Sequence, residues 1–123
     1  MILVDTSVWI DHLRNDNFIL ANLLNTGQVY VHPFVTGELA LGHLRNRDII
    51  LDALNNLPSI KIAKNEEVLS FIQNNKIYGM GVGYIDAHLL TSVRLTPGSL
   101  LWTKDKRLSV AAKQLKLFAG FAQ

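Results

Sequence analysis

The sequence predicts an α/β protein, a three-layer α/β/α sandwich around a central parallel sheet of four to five strands. Short runs rich in Val, Ile and Leu indicate buried strands at residues 1–5, 29–32, 60–63 and 100–103, with a weaker fifth at 117–118. Helical patterns lie between these runs. Strands that alternate with helices favour a parallel sheet covered on both faces.

Helical periodicity of apolar residues marks five segments. They lie near residues 34–42, 49–57, 68–72, 85–93 and 108–115. Only turn residues separate the periodic segments, and the chain contains no repeat, low-complexity stretch or linker. We therefore expect a single domain over residues 1–123.

The composition limits the classes of protein and of site. A chain of 123 residues fits one domain with one core, and the absence of Cys excludes disulfides and thiolate metal sites. The apolar runs are shorter than the roughly 20 residues of a membrane span, and the N-terminus lacks a basic leader. We expect a soluble cytoplasmic protein with no membrane contact. The net charge of +2 allows an anionic partner without requiring one.

Four carboxylates, far apart along the chain, are the main functional signal. Asp5 and Asp105 follow predicted strands, whereas Glu38 and Asp86 lie on predicted helices beside apolar residues. Functional groups in parallel sheets gather outside the carboxyl ends of the strands, where we expect these side chains to meet. Clustered carboxylates repel one another unless a cation or protons neutralise them. The pattern therefore predicts a site for a divalent metal.

Each acid also has a simpler interpretation when it is taken alone. Asp5 and Asp105 precede helical patterns, a position where Asp commonly caps a helix. Asp86 lies in a first helical turn, where the helix dipole favours an acid. Glu38 shares a helix face with Phe34 and other apolar residues, so a solvated surface position is the less expected one. The conjunction of the four acids favours one shared site.

The donor chemistry indicates which ion the site would take and for what reaction. Carboxylate oxygens, without Cys or paired His, select Mg²⁺ or Mn²⁺ rather than zinc. One or two such ions activate water for attack on a phosphodiester. The hypothesis is an in-line attack that leaves a 3′-hydroxyl and a 5′-phosphate. Motifs of serine hydrolases, zincins and Walker-type ATPases are absent.

Basic residues near the acids are candidates for contacts with nucleic-acid phosphates, although a solvated charged face is the simpler interpretation for any single one. The candidates for substrate binding are Arg14, Lys104 and Arg107. The glycine-rich run at 79–84 lacks the preceding strand of a nucleotide-binding loop, so we interpret it as a mobile approach to the next helix.

Four sequence motifs carry a resemblance to a known family. They read VDTSVWI at residues 4–10, GELALG at 37–42, YIDAHLL at 84–90 and WTKDKRL at 102–108. Together, in this order, they resemble the PIN-domain ribonucleases, and within them the VapC-type toxins of bacterial toxin–antitoxin pairs. The resemblance covers residues 1 to about 117.

The resemblance implies a PIN-like nuclease domain that cleaves RNA with Mg²⁺ or Mn²⁺. Carried over by position, the metal-binding catalytic residues are Asp5, Glu38, Asp86 and Asp105. Hydroxyl residues that orient these acids would be Thr6, Ser7 and Thr103. The resemblance also implies a homodimer and a cognate VapB-type antitoxin that blocks the cleft. Lys104 stands where arginine is frequent in the family.

Two other functions stay open from the sequence. A non-catalytic module would use the same fold to hold RNA or a protein, and metal-dependent cleavage separates it from an enzyme. A phosphatase or phosphotransferase would use Asp5 as the nucleophile and form a phosphoenzyme. Ser7 stands where such sites often carry a second acid, which disfavours this alternative.

Overall fold

Three short parallel strands form the sheet in the computed structural model, which describes residues 1–121. They are β1 (Ile2–Val4), β2 (Val29–Tyr30) and β3 (Leu100–Trp102). Their order is β2-β1-β3, so the N-terminal strand lies in the centre. Ile2 pairs with Val29 on one side and with Leu100 on the other. The predicted α/β class and parallel sheet are confirmed.

Seven helices occur within residues 1–121. They are α1 (Thr6–Asn15), α2 (Phe18–Asn25), α3 (Pro33–Ala40), α4 (Arg47–Asn55), α5 (Asn65–Asn75), α6 (Tyr84–Arg94) and α7 (Lys106–Gln114). Helices fill both connections between the strands, as parallel pairing requires. In this part of the chain no helix has the length and apolar character needed to cross a membrane.

The predicted number of strands is wrong, because the sheet has three strands rather than four to five. The segments expected as strands near 60–63 and 117–118 each contribute a single parallel bridge, Val31 with Ser59 and Leu101 with Phe118. At the edge formed by β2, the helix α3 begins at Pro33, so pairing with the segment near Ser59 cannot continue beyond Val31. Pairing at both edges is therefore too short to form a strand.

The central strand is covered on both faces. Leu3 and Val4 point to opposite faces of the sheet because they are successive strand residues, and both are fully buried. Trp9 and Trp102 are also buried and belong to the core. This burial fixes β1 and β3, and with them the residues that follow their carboxyl ends.

The helix prediction was correct for five of the seven helices. The segments expected near 34–42, 49–57, 68–72, 85–93 and 108–115 correspond to α3 through α7, with ends shifted by one to three residues. Only a helix of unstated length was expected after Asp5, and α2 was not predicted. The sequence of α2, FILANLLN, is mostly apolar and lacks the polar face that marks a surface helix.

Candidate active site

Asp5 is a buried carboxylate held by two hydroxyl groups. It follows β1, and its backbone N–H extends the sheet by donating to the Trp102 carbonyl at 2.9 Å. Ser7 Oγ and Thr103 Oγ1 each donate to Asp5 Oδ2 at 2.7 Å. The side chain does not cap α1, so the simpler interpretation of Asp5 as a helix cap is wrong. One oxygen is fixed in this way, and Oδ1 accepts no hydrogen bond from the described residues.

Asp105 is joined to Asp5 through Thr103. The backbone N–H of Asp105 donates to Thr103 Oγ1 at 3.0 Å, and the same hydroxyl donates to Asp5. Asp105 Oδ1 also accepts from the backbone N–H of Leu108 at 2.9 Å. The capping interpretation of Asp105 is therefore confirmed. The cap fixes Oδ1 at the start of α7.

Glu38 contacts the first helix through a hydroxyl group. Thr6 Oγ1 donates to Glu38 Oε1 at 2.7 Å, which joins α1 to α3. The side chain is exposed, so the expectation that Glu38 is not a solvated surface residue was wrong. The reason is that α3 buries the face of Val35 and Leu39, while Leu41 just beyond its end is 90% exposed.

The pKa of Asp86 is shifted by the charges of the other three acids. Burial, together with the nearby charges of Asp5, Asp105 and Glu38, raises the pKa of Asp86 from its ordinary value of 3.8 to about 6. No basic side chain is among the groups that shift this pKa. The fold therefore brings the four acids close enough together for the charges of three of them to act on the fourth.

The donor chemistry of this region fits a hard divalent cation. Carboxylate oxygens are the preferred ligands of Mg²⁺ and Mn²⁺, and a cation would relieve the repulsion that raises the pKa of Asp86. The coordination shell is not formed by the side chains as they stand, since no three acids or histidines of residues 1–121 converge on one point. Glu38 and Asp105 are exposed, so packing does not hold their carboxylates in place.

The three basic candidates occupy different surroundings. Lys104 Nζ lies 3.0 Å from Asp11 Oδ2, and this hydrogen bond is the main reason that the pKa of Asp11 is lowered. Arg14 lines a groove of about 610 Å³ that runs past Glu38. Arg107 lies against the backbone of Gly81. Neither Asp11 nor Gly81 was identified from the sequence, because each acts on a partner far away along the chain.

A group of aromatic rings and imidazoles packs behind Glu38 and Asp86. The Phe34 ring centroid lies 4.9 Å from those of His32 and His88. Burial lowers the pKa of His32 to about 4, with a further contribution from His88, and burial also lowers the pKa of His88. His32 Nδ1 accepts from the Phe34 N–H and caps α3. Both imidazoles are therefore neutral packing groups near pH 7.

The chain forms a parallel sheet between helices, with carboxylates directly after two of its strands. A sequence model of the PIN domain matches residues 2–114. The chain belongs to the PIN domain family. It is 46% identical over 114 residues to Ribonuclease VapC32 from each of two strains of Mycobacterium tuberculosis. The match covers 93% of this chain and 92% of that relative. The resemblance to VapC-type PIN proteins is thereby confirmed.

A solved structure supports the same fold at greater evolutionary distance. The crystal structure of PAE2754 from Pyrobaculum aerophilum superposes with a TM-score of 0.61 at 17% sequence identity. The match covers 92% of this chain and 80% of that one. At this level of identity the similarity concerns the fold alone.

Proposed function

We propose that this protein is a divalent-metal-dependent endoribonuclease and the toxin of a toxin–antitoxin pair. The observation that carries the proposal is that three carboxylates, those of Asp5, Asp105 and Glu38, act together with burial to raise the pKa of Asp86. The name of the M. tuberculosis relative, Ribonuclease VapC32, supports RNA as the substrate. The nuclease would be one PIN-like domain extending over the chain and acting in the cytoplasm.

The four acids would hold Mg²⁺ or Mn²⁺, either directly or through water, in the proposed reaction. When bound, such an ion lowers the pKa of a coordinated water and neutralises charge on the phosphodiester. Asp5 is prepared for this role, because Ser7 and Thr103 fix one of its oxygens, while the other has no donor among residues 1–121. Thr103 also orients the backbone before Asp105, so a single hydroxyl couples two of the acids.

Thr6 has the corresponding role on the other side of the site. Its hydroxyl holds Glu38, an exposed side chain that packing alone would leave mobile. The three hydroxyl residues thus limit the motion of carboxylates that repel one another. Positioning of this kind lowers the cost of assembling the ligands when the ion and RNA bind.

Arg14 and Lys104 are proposed to contact RNA outside the acidic centre. Arg14 lies on the groove beside Glu38, where a phosphate backbone would pass close to the carboxylates. Lys104 is exposed but paired with Asp11, so it is the weaker candidate. An exposed ion pair of this type contributes about 1 kcal/mol or less, which a phosphate contact can replace.

The partners follow from the same family membership. We propose a cognate VapB-type antitoxin that covers the cleft, and a homodimer as the working form. The groove beside Glu38 supports the antitoxin proposal, because it combines apolar residues with cations at the edge of the acidic site. Its lining includes Ile10, Leu13, Arg14, His43 and Arg45. Co-purification with the product of a neighbouring reading frame, followed by inhibition of cleavage, would test this partner.

Cleavage of RNA in the presence and absence of metal tests the proposed function. Total RNA is incubated with the parent protein in Mn²⁺, with the parent in EDTA, and with Asp5→Asn in Mn²⁺. Discrete fragments only in the first reaction are expected. Equal cleavage by Asp5→Asn would contradict the role of the acids. Intact RNA in every reaction, together with measurable RNA binding, would favour the non-catalytic binding module.

A further inference from the structure

The loop before α6 brings a glycine into direct contact with an arginine. Gly81 has a φ of +77°, and a β-carbon placed on it would lie 2.8 Å from Cδ and 2.9 Å from Nη1 of Arg107. A β-carbon at residue 81 would therefore force the flexible end of the Arg107 side chain to move. Gly79 has nearly the same backbone conformation, with a φ of +75°, but a β-carbon there would meet nothing within 4 Å. Of these two glycines, only Gly81 has a neighbour that a side chain would displace.

Arg107 is an exposed cation without an anionic partner. Within residues 1–121 the single ion pair is the one between Lys104 and Asp11, and the Arg107 guanidinium takes part in no hydrogen bond. Its charge is also absent from the groups that shift the pKa of Asp86. A guanidinium presents five N–H donors in a planar fork that matches a phosphate. Its donors remain available to a ligand.

The same loop connects Arg107 to the acidic site. Gly81 touches Arg107, and Gly83 precedes α6 with its α-carbon close to Asp86, whose Oδ2 lies 3.9 Å from a β-carbon built on Gly83. Arg107 itself follows Asp105 by two residues. Arg107 therefore contacts the loop that leads to Asp86 and lies two residues after Asp105, so it is connected to two of the four acids through short segments of chain.

We propose that Arg107 binds a non-bridging oxygen of an RNA phosphate next to the one that is cleaved, and that Gly81 positions the guanidinium for this contact. The proposal rests on the proposed function, since it supplies a subsite to the same reaction. Arg107 is the substrate-binding residue in this pair. Gly81 is a positioning residue that acts through it.

The test measures RNA binding as a function of salt, in an Asp5→Asn background and without divalent ions, so that cleavage does not interfere. The probe is a fluorescein-labelled single-stranded RNA of mixed sequence. Each phosphate contact with single-stranded nucleic acid contributes about 0.7 to the slope of log K against log salt. Arg107→Ala is expected to lower the slope by about this amount and to weaken binding at low salt by about fivefold or more. Arg107→Lys should keep most of the slope, because it keeps the charge.

Gly79→Ala is the matched control for Gly81→Ala. Both substitutions place a side chain at a positive φ, so both strain the backbone to a similar extent and should lower the melting temperature equally. Only Gly81→Ala displaces Arg107, so only this variant should weaken RNA binding. In the Gly81→Ala background, the further change Arg107→Ala should have a much smaller effect than it has alone.

The outcomes separate this inference from the proposed function. An unchanged salt slope in Arg107→Ala would overturn the phosphate subsite, even if the parent protein cleaves RNA. Equal losses of binding in Gly79→Ala and Gly81→Ala would overturn the positioning role of Gly81. A lowered slope in Arg107→Ala, with no cleavage by the parent in Mn²⁺, would support the contact between Arg107 and an RNA phosphate but overturn both the nuclease and the position of this phosphate beside a cleaved one.

Discussion

Asp86→Asn is expected to stabilise the metal-free protein at neutral pH while abolishing RNA cleavage. Burial and the charges of Asp5, Asp105 and Glu38 raise the pKa of Asp86 to about 6. Its ionisation at pH 7.5 therefore costs the folded protein free energy. Asparagine has a similar shape and no charge, so it avoids this cost and gives up one metal ligand.

The sign and size of the effect follow from the pKa of Asp86. The folded state binds more protons than the unfolded state between pH 3.8 and about 6, so the free energy of unfolding falls as pH rises through this range. One pKa unit corresponds to about 1.4 kcal/mol, and solvent screening of this half-buried group leaves roughly 1–2 kcal/mol. For a chain of this length the unfolding entropy of about 0.26 kcal/mol per kelvin converts the gain into about 4–8 °C.

Thermal denaturation in EDTA at pH 4.5 and pH 7.5 measures this gain, and Asp48→Asn is the matched control. Asp48 also lies in the first turn of a helix, but it is exposed on α4 and has Asp52 as its acidic neighbour one turn later. Its replacement should change stability by less than about 1 kcal/mol, because the loss of the interaction with the helix dipole is partly offset by relief of the repulsion from Asp52. Only Asp86→Asn should therefore raise the melting temperature by several degrees at pH 7.5.

Added Mn²⁺ should reverse the advantage of Asp86→Asn, because an ion that binds the native state stabilises the parent more than the variant. Two results would refute the reasoning. One is an Asp86→Asn protein no more stable than the parent at pH 7.5 in EDTA. The other is an equal gain at pH 4.5, where Asp86 of the folded parent is already mostly neutral.

Three further predictions concern the surroundings of the site. Thr103→Val should lower the free energy of unfolding by about 1.5–3 kcal/mol, because buried Asp5 loses a hydrogen-bond donor, whereas Thr103→Ser keeps this donor and should not. Equal urea midpoints for these two variants would contradict this prediction. The pKa of His32 is lowered to about 4, so the free energy of unfolding should fall as pH drops from 6.5 to 4. His32→Asn, which retains an oxygen to cap α3, should make the free energy of unfolding depend less on pH over this range. An unchanged pH dependence would exclude His32 as its source. Asp11→Asn should change unfolding by less than about 1 kcal/mol and tighten RNA binding at low salt by freeing Lys104; an unchanged Kd would mean that this lysine does not contact RNA.

The candidate site was accessible to sequence analysis because its acids occupy regular positions. Asp5 and Asp105 follow apolar strands, and the carboxyl ends of parallel strands meet at one edge of a sheet. The local role of each acid was less predictable. Asp105 is a helix cap and Asp5 is not, although both directly precede helices. The difference arises because the hydroxyl groups of Ser7 and Thr103 donate to the Asp5 side chain in place of the backbone N–H groups of α1. Thr103 comes from the end of a strand far away along the chain.

The sequence alone determined the α/β class, the parallel strands and the membership of the PIN family, because apolar periodicity and motif order are local properties of the chain. Only the tertiary structure decided the extent of the sheet, since the segments near Ser59 and Phe118 reach its edges for one residue each. The tertiary structure also decided that, among residues 1–121, Lys104 forms an ion pair and Arg107 does not. Arg107 on Gly81 and Lys104 on Asp11 are contacts between distant segments, and packing between segments sets them.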